Sequence, residues 1–463
     1  MIKIDQRRRT LPIVVLLCSL ALTVTANSQT FTSLVSFDYS NGARPYLTAL
    51  VQGVDGNLYG TTSVGGANGP YGTIFELAPS GTLTTVYSFG GSDGAFPSAA
   101  LLLATDGNFY GTTEEGGEPY YAGTIFKMTP AGEFTTLYTF CSQSACGDGG
   151  QPDAALIEGK DGNFYGTTQV YGANEAGTVF RITPTGALTT LYSFCSLTNC
   201  ADGGHPSSSL IQATNGNFYG TNSSTVFKIT LNGKLTTLYT FTGTGPSSGL
   251  IQANDGNFYG TTGPGTDNEG TVFGMTSAGA LTTLYTFTGY NGTSPEGTLI
   301  QATDGNLYGT TFLGGAYYAY GSIFRTTLTG DLTTLYSFCA QTNCPDGENP
   351  SGALFQSTNG QFYGTTWYGG VNDEGTVFAV DAGLAPFIET IPTSGRSGST
   401  VKILGYGLSG ATAVSFNGKD SILGSKANTY LTTRVPPGAT SGFVTVTTSK
   451  GKLRSNVRFR VIP

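Results

Sequence analysis

Asp255-Gly-Asn-Phe-Tyr-Gly-Thr-Thr262 decides the fold, because the chain repeats it seven times. The same turn and strand begin at Asp55, Asp106, Asp161, Asn215, Asp304 and Asn359. Its surroundings are as regular. Residues 248–253 (SGLIQA) form an apolar run of strand length, and the Asp-Gly that follows tolerates the positive φ of a tight primed hairpin. FYGTT predicts a second strand and 271–276 (TVFGMT) a third. After a turn at Ser277-Ala278-Gly279, 281–287 (LTTLYTF) predicts a fourth, alternating apolar residues with Thr as a half-buried strand should. A loop then runs to Pro295 and the next unit.

Four antiparallel strands per unit, with turns 51, 55, 54, 40, 49 and 55 residues apart, predict a β-propeller. One such unit cannot bury its apolar face alone. The last repeat has its FYGTT at 362–366 and its GTVF at 375–378 but no LTTLYSF. The missing strand stands at the other end, as Phe31-Thr-Ser-Leu-Val-Ser-Phe37. Seven blades therefore balance only if the N-terminal strand completes the last one, which also removes two exposed sheet edges. The expected fold is all-β: a seven-bladed propeller over 27–384 closed by its N-terminal strand, then a second domain over 385–463. The DGN turns fall on one rim, and the long loops fall on the other, where binding is expected.

Composition agrees. Charged residues are only 11%, Gly counts 69 and aromatics reach 12%, which suits short strands and tight turns. Lys3, Arg7, Arg8 and Arg9 precede an apolar run over 11–26, read as a signal peptide spanning 1–26. Its removal leaves a net charge of −11. An acidic chain with no basic cluster argues against nucleic acid. No other stretch is long and apolar enough to span a bilayer. The protein is thus expected outside the cell or on its surface. Six cysteines remain, as Cys141/Cys146, Cys195/Cys200 and Cys339/Cys344, each pair in the same repeat position. In an exported protein this pattern implies three local disulfides rather than a metal site.

The repeat units, DGNxYGTT…GTVFxxTxxGxLTTLYSF over 31–381, resemble the GloVer-type tandem-repeat proteins. That resemblance implies an exported bacterial repeat protein and no particular reaction. The tail, with Pro392, Gly395, Gly398, Gly405, Phe416, Gly418, Val435, Pro436 and Gly438 at the matching places, resembles the IPT/TIG family. It implies an immunoglobulin-like sandwich that serves as a spacer or interaction module. Streptogramin-type lyases are secreted propellers with similar turns, and they lean on histidine. The one histidine here, His205, lies in a variable loop, which argues against that activity.

No catalytic residue, cofactor or metal ligand is expected. Gly245-Pro-Ser247-Ser-Gly249 matches GxSxG, but in an interblade loop rather than a strand-to-helix elbow. The Asp of each DGN turn is assigned to turn chemistry rather than calcium. The long-loop rim carries carboxylates, including Glu114, Asp148, Asp202, Asp346 and Glu348, and a suitably spaced pair could hydrolyse a glycoside. Aromatic rings crowd the same rim: Tyr120, Tyr121, Tyr171, Phe312, Tyr317, Tyr318, Tyr320, Trp367 and Tyr368. Exposed rings in polar loops suit a sugar or peptide, and Trp367 is the strongest candidate. The expected function is non-catalytic binding of a polysaccharide or protein, with a carbohydrate-active enzyme as the alternative.

Overall fold

The computed structural model describes residues 29–265, 269–317 and 319–462. The expected signal peptide and Tyr318 lie outside the described residues. No α-helix occurs among those described, and the repeats form four-stranded antiparallel sheets in a propeller-like pattern. Six of these sheets are continuous in sequence, over 51–88, 102–139, 157–193, 211–240, 251–286 and 300–337. One further sheet combines Phe355–Gln356, Phe362–Thr366 and Thr376–Asp381 with the N-terminal strand Thr30–Ser36. That strand pairs antiparallel with Thr376–Asp381, Phe31 opposite Val380 and Ser36 opposite Thr376.

Why the repeat is so uniform follows from what its residues touch. Each DGN turn is built by its own side chains. Asp255 accepts from the Asn257 backbone N–H at 3.0 Å and from the Tyr259 hydroxyl at 2.7 Å. Gly256 supplies φ 86° at the tip. Where Asn replaces Asp, the amide donates instead, as Asn215 does to Tyr219 at 2.8 Å. The Tyr ring then packs on the Phe that opens FYGTT in the following sheet, as Tyr165 does on Phe218 with centroids 4.1 Å apart and the planes tilted by 32°. Gly260 must lack a side chain, since a Cβ there would sit 2.8 Å from the Phe273 ring.

Two series of hydrogen bonds join the sheets. The first Thr of each GTT (GTN in the fourth repeat) donates to a carbonyl at the start of the following sheet: Thr61 to Ala99, Thr112 to Ala154, Thr167 to Ser208, Thr221 to Ser248, Thr261 to Pro295 and Thr310 to Gly352. Thr365, in the sheet completed by the N-terminal strand, donates to Thr48 at 3.3 Å, beside the first sheet. The second series uses the residue that ends each short inner strand. Gln212, Gln252, Gln301, Gln356 and Glu158 accept from a backbone N–H of the preceding sheet, and Gln52 accepts from Thr358 at 3.1 Å. Leu103 holds that position in the remaining sheet and cannot accept.

After 385 the pattern changes. Two four-stranded sheets and one parallel pair, Ser394–Arg396 with Arg460–Ile462, share an apolar core that includes Ile388, Val401, Phe416, Leu431, Val444 and Phe459. This unit rests on the DGN turns: Tyr406 donates to the Gly56 carbonyl at 3.1 Å and Thr429 to the Val54 carbonyl at 2.8 Å.

Candidate functional site

Every interblade loop ends in Pro, and the residue after that Pro lines one central cavity. These residues are Tyr46, Ser98, Asp153, Ser207, Ser247, Glu296 and Ser351, one from the start of each repeat. The cavity holds about 690 Å³ and also exposes small residues such as Ala49, Ala99, Ala154 and Gly249. The inner strands place it. Their N-terminal approaches converge where all the sheets meet, and small side chains keep the space open. Glu114 and Gln169, each the residue just after GTT, complete the wall.

Three carboxylates thus enter one chamber, and no Lys, Arg or His lines it. Asp153 accepts from Gln169 Nε2 at 3.3 Å through Oδ2, while its buried Oδ1 has no partner. Burial, and then the nearby Glu114 charge, raise the Asp153 carboxyl to about 7. Burial also raises Glu296 to about 7. Glu114 is pushed up by burial, against a hydrogen bond from Ser98 at 3.3 Å. The Tyr46 phenol is pushed to about 12 by burial and then by Glu296, Glu114 and Asp153, which places all four groups in one electrostatic neighbourhood.

An aromatic group adjoins the chamber at Tyr46. Trp367 and Phe312 occupy the after-GTT position that Glu114 and Gln169 hold elsewhere. The Trp367 ring lies 4.9 Å from Tyr46, 5.6 Å from Phe312 and 4.6 Å from Tyr368. Arg44 sits over the Tyr368 ring at 5.3 Å. Trp367, Phe312 and Tyr368 are half-buried, so their rings pack on one another and keep a partly open face.

The other expected rings do not join this group. Tyr120 and Tyr121 are exposed together on one loop, Tyr171 and Tyr317 on two others, while Tyr320 packs against the apolar core near Phe338. Most rim carboxylates also serve their own loops. Asp148, Asp202 and Asp346 are buried and accept from Tyr138, Tyr192 and Tyr336 at 2.7–2.8 Å. Ser247 of the GxSxG run lines the chamber, but its hydroxyl is held by the Pro295 carbonyl at 2.5 Å and by Thr261. His205 is exposed and bonds the Gln169 carbonyl through Nδ1 at 3.0 Å.

The cysteines pair as expected: Cys141 with Cys146, Cys195 with Cys200, and Cys339 with Cys344. Cys146 ends the single 3-10 turn Ser144–Cys146, and Cys200 ends the equivalent turn Thr198–Cys200. The reason is local hydrogen bonding. The Cys146 N–H donates to the Gln143 carbonyl at 3.0 Å, and the Cys200 N–H donates to the Leu197 carbonyl at 2.9 Å. Behind each turn a buried carboxylate holds the loop entry: Asp148 accepts from the Ser142 N–H at 3.0 Å, and Asp202 from the Ser196 N–H at 2.9 Å. Cys146 is half-buried and Cys200 exposed, and none of the six cysteines lines the chamber. Among the described residues, the one set of three potential metal ligands within 4.8 Å is Cys339, Cys344 and Glu348, whose two sulfurs are already joined. Tyr46, Asp153 and Glu296 were not singled out by the sequence reading. The available signal was positional: they all follow the loop-ending Pro.

The far end of the inner strands faces a second cavity of about 510 Å³, lined in part by the tail through Glu389, Thr390, Ile391 and Ile462. The first chamber lies at the other, long-loop end of these strands.

A family described as the Gloeobacter/Verrucomicrobia repeat matches residues 19–225 and again 221–401. No curated protein matches the chain significantly. Among solved structures, the chain is similar to a streptogramin B lyase at 17% identity and a TM-score of 0.53, over 76% of this chain and 97% of that one. It is also similar to the extracellular domain of a B. thetaiotaomicron protein assigned as a hybrid two component system, at 12% identity and a TM-score of 0.51. That match covers 93% of this chain and 54% of the other. At such identities the likeness concerns the fold, and these propeller neighbours include an enzyme and an extracellular domain. Extracellular neighbours and three disulfides are consistent with secretion. No helix among the described residues is long and apolar enough to cross a membrane. With its repeats matched over most of its length, the chain belongs to the Gloeobacter/Verrucomicrobia repeat family.

Proposed function

We propose that this is an exported, non-catalytic binding protein whose ligand, a polysaccharide, seats across the chamber mouth against Trp367. In this reading residues 1–26 are a signal peptide, 27–384 a closed seven-bladed propeller, and 385–463 an IPT/TIG-like spacer or attachment domain. The return bonds from Thr365 to Thr48 and from Thr358 to Gln52 support closure, because they repeat the contacts between neighbouring sheets. One observation carries the ligand assignment: Trp367, Tyr46, Phe312 and Tyr368 form a single ring cluster beside the cavity. Flat, half-buried rings offer a face to the C–H surface of a sugar, and the exposed Ser207 on the chamber wall offers a hydroxyl partner. A glycan array with the purified protein tests this. We expect binding to a defined set of glycans and a loss of about tenfold or more for Trp367→Ala. Unchanged binding by that variant would remove the sugar platform.

The second reading is a glycoside hydrolase or lyase, and the carboxyls of Asp153 and Glu296, each near 7, favour it. New reducing ends or unsaturated products from a bound glycan, abolished by Asp153→Asn, would establish it over the binding role.

A further inference from the structure

We infer that the ligand is an amino sugar polymer, and that its protonated amine enters the chamber to meet Asp153 and Glu296 while its ring lies on Trp367. This rests on the sugar-binding reading and adds a chemical class to it. Asp153 lines the chamber and takes one side-chain hydrogen bond, from Gln169 to Oδ2, while Oδ1 takes none. Glu296 has no hydrogen bond among the described residues and faces the same space. No basic side chain of the wall supplies a counter-charge. The free chamber therefore holds carboxyl groups with no basic side chain to match them.

The shape of the group narrows what could fill this need. The three carboxylates do not bring their oxygens within 4.8 Å of one another, as a preformed metal cage would. An ammonium group needs only one or two acceptors at a time, and it can also face the Tyr46 ring that borders both the chamber and the aromatic cluster. The exposed Ser207 hydroxyl on the chamber wall suits a further polar group of a sugar rather than an alkyl polyamine. An aromatic cluster beside a carboxyl-lined chamber thus matches a ring with an apolar face and a cationic substituent.

The test uses the full chain and two probes that differ only at the amine: a glucosamine hexamer and an N-acetylglucosamine hexamer, titrated calorimetrically at pH 7. Wild type is expected to bind the glucosamine hexamer about tenfold or more tightly than its acetylated twin. Asp153→Asn/Glu296→Gln is expected to lose that preference while keeping weak binding to both. It removes buried charge, so it should fold, and a thermal melt checks this; Glu296→Gln alone serves if it does not. Equal affinity for the two hexamers in wild type, or a preference that survives the substitutions, would overturn the inference. Binding of neutral glycans that Trp367→Ala abolishes, without amine preference, would overturn it while leaving the sugar platform standing. Failure to bind either hexamer or any arrayed glycan would overturn both.

Discussion

The residue that follows each loop-ending Pro matters more than any motif in the chain. Asp153 and Glu296 are held protonated to about 7, above the ordinary values of 3.8 and 4.5. Between those limits the folded state keeps protons that the unfolded chain has released, so stability falls as pH rises through this window. The penalty is absent below about pH 4 and complete above about pH 7. For Asp153, which faces Glu114, Gln169 and Tyr46, it is on the order of 4 kcal/mol at most. Carboxyls with lowered values, such as Asp106, Asp161 and Asp255, act below pH 4 and do not overlap this window. We therefore expect Asp153→Asn to be more stable than wild type at pH 8 and close to it at pH 4. Urea denaturation at both values measures this, and an equal difference at both would refute the assignment. Tyr259 offers a contrast. Its hydroxyl ties the strand to Asp255 at 2.7 Å, and Tyr259→Phe should cost about 1 kcal/mol at pH 7 without touching ligand binding.

At the scale of elements, the N-terminal strand is the most consequential piece. Thr30–Ser36 covers the edge of Thr376–Asp381 and brings Phe31 onto Tyr336 with ring centroids 3.8 Å apart. Deleting residues 29–37 would bare that edge and open part of the adjoining core, so the truncated protein should self-associate, as light scattering would report. A monomer with an unchanged melt would contradict this. The disulfide loops are a smaller matter. Each bridge closes a ring across a sequence separation of five, worth about 2 kcal/mol in chain entropy. The 3-10 turns ending at Cys146 and Cys200 are also held by their own backbone bonds and by Asp148 and Asp202. Cys195→Ser/Cys200→Ser should therefore lower the melting temperature modestly and leave the chamber intact.

At the scale of the whole molecule, the proposed binding site and the tail lie at opposite ends. The tail sits on the DGN turns through Tyr406 and Thr429, while Trp367 and the carboxylates lie on the long-loop side. A protein comprising residues 29–384 should then fold and bind the same glycans with unchanged affinity. A fall of tenfold or more would mean that the tail shapes the chamber.

The local pieces were legible in the residues. Asp-Gly turns, the Thr alternation of LTTLYSF and the paired cysteines report chemistry between near neighbours, and local chemistry leaves a local pattern. The short turns at Cys146 and Cys200 escaped that reading, because one hydrogen-bonded turn has no periodicity to betray it. The pairing of Phe31–Ser36 with Thr376–Asp381 could be read, because one strand was missing at one end and spare at the other. The chamber could not. Its wall takes one residue from each repeat, about 50 positions apart, and those residues differ in kind, from Tyr46 to Asp153 to Ser247. Only the convergence of the sheets makes them neighbours. The same packing separates the rim rings, leaving Tyr120 and Tyr171 on loops of their own while Trp367 meets Tyr46 and Phe312. Repetition dictated the scaffold, because each unit must bury its faces against the next; the identity of the site was decided where unlike residues at equivalent positions were brought around one common space.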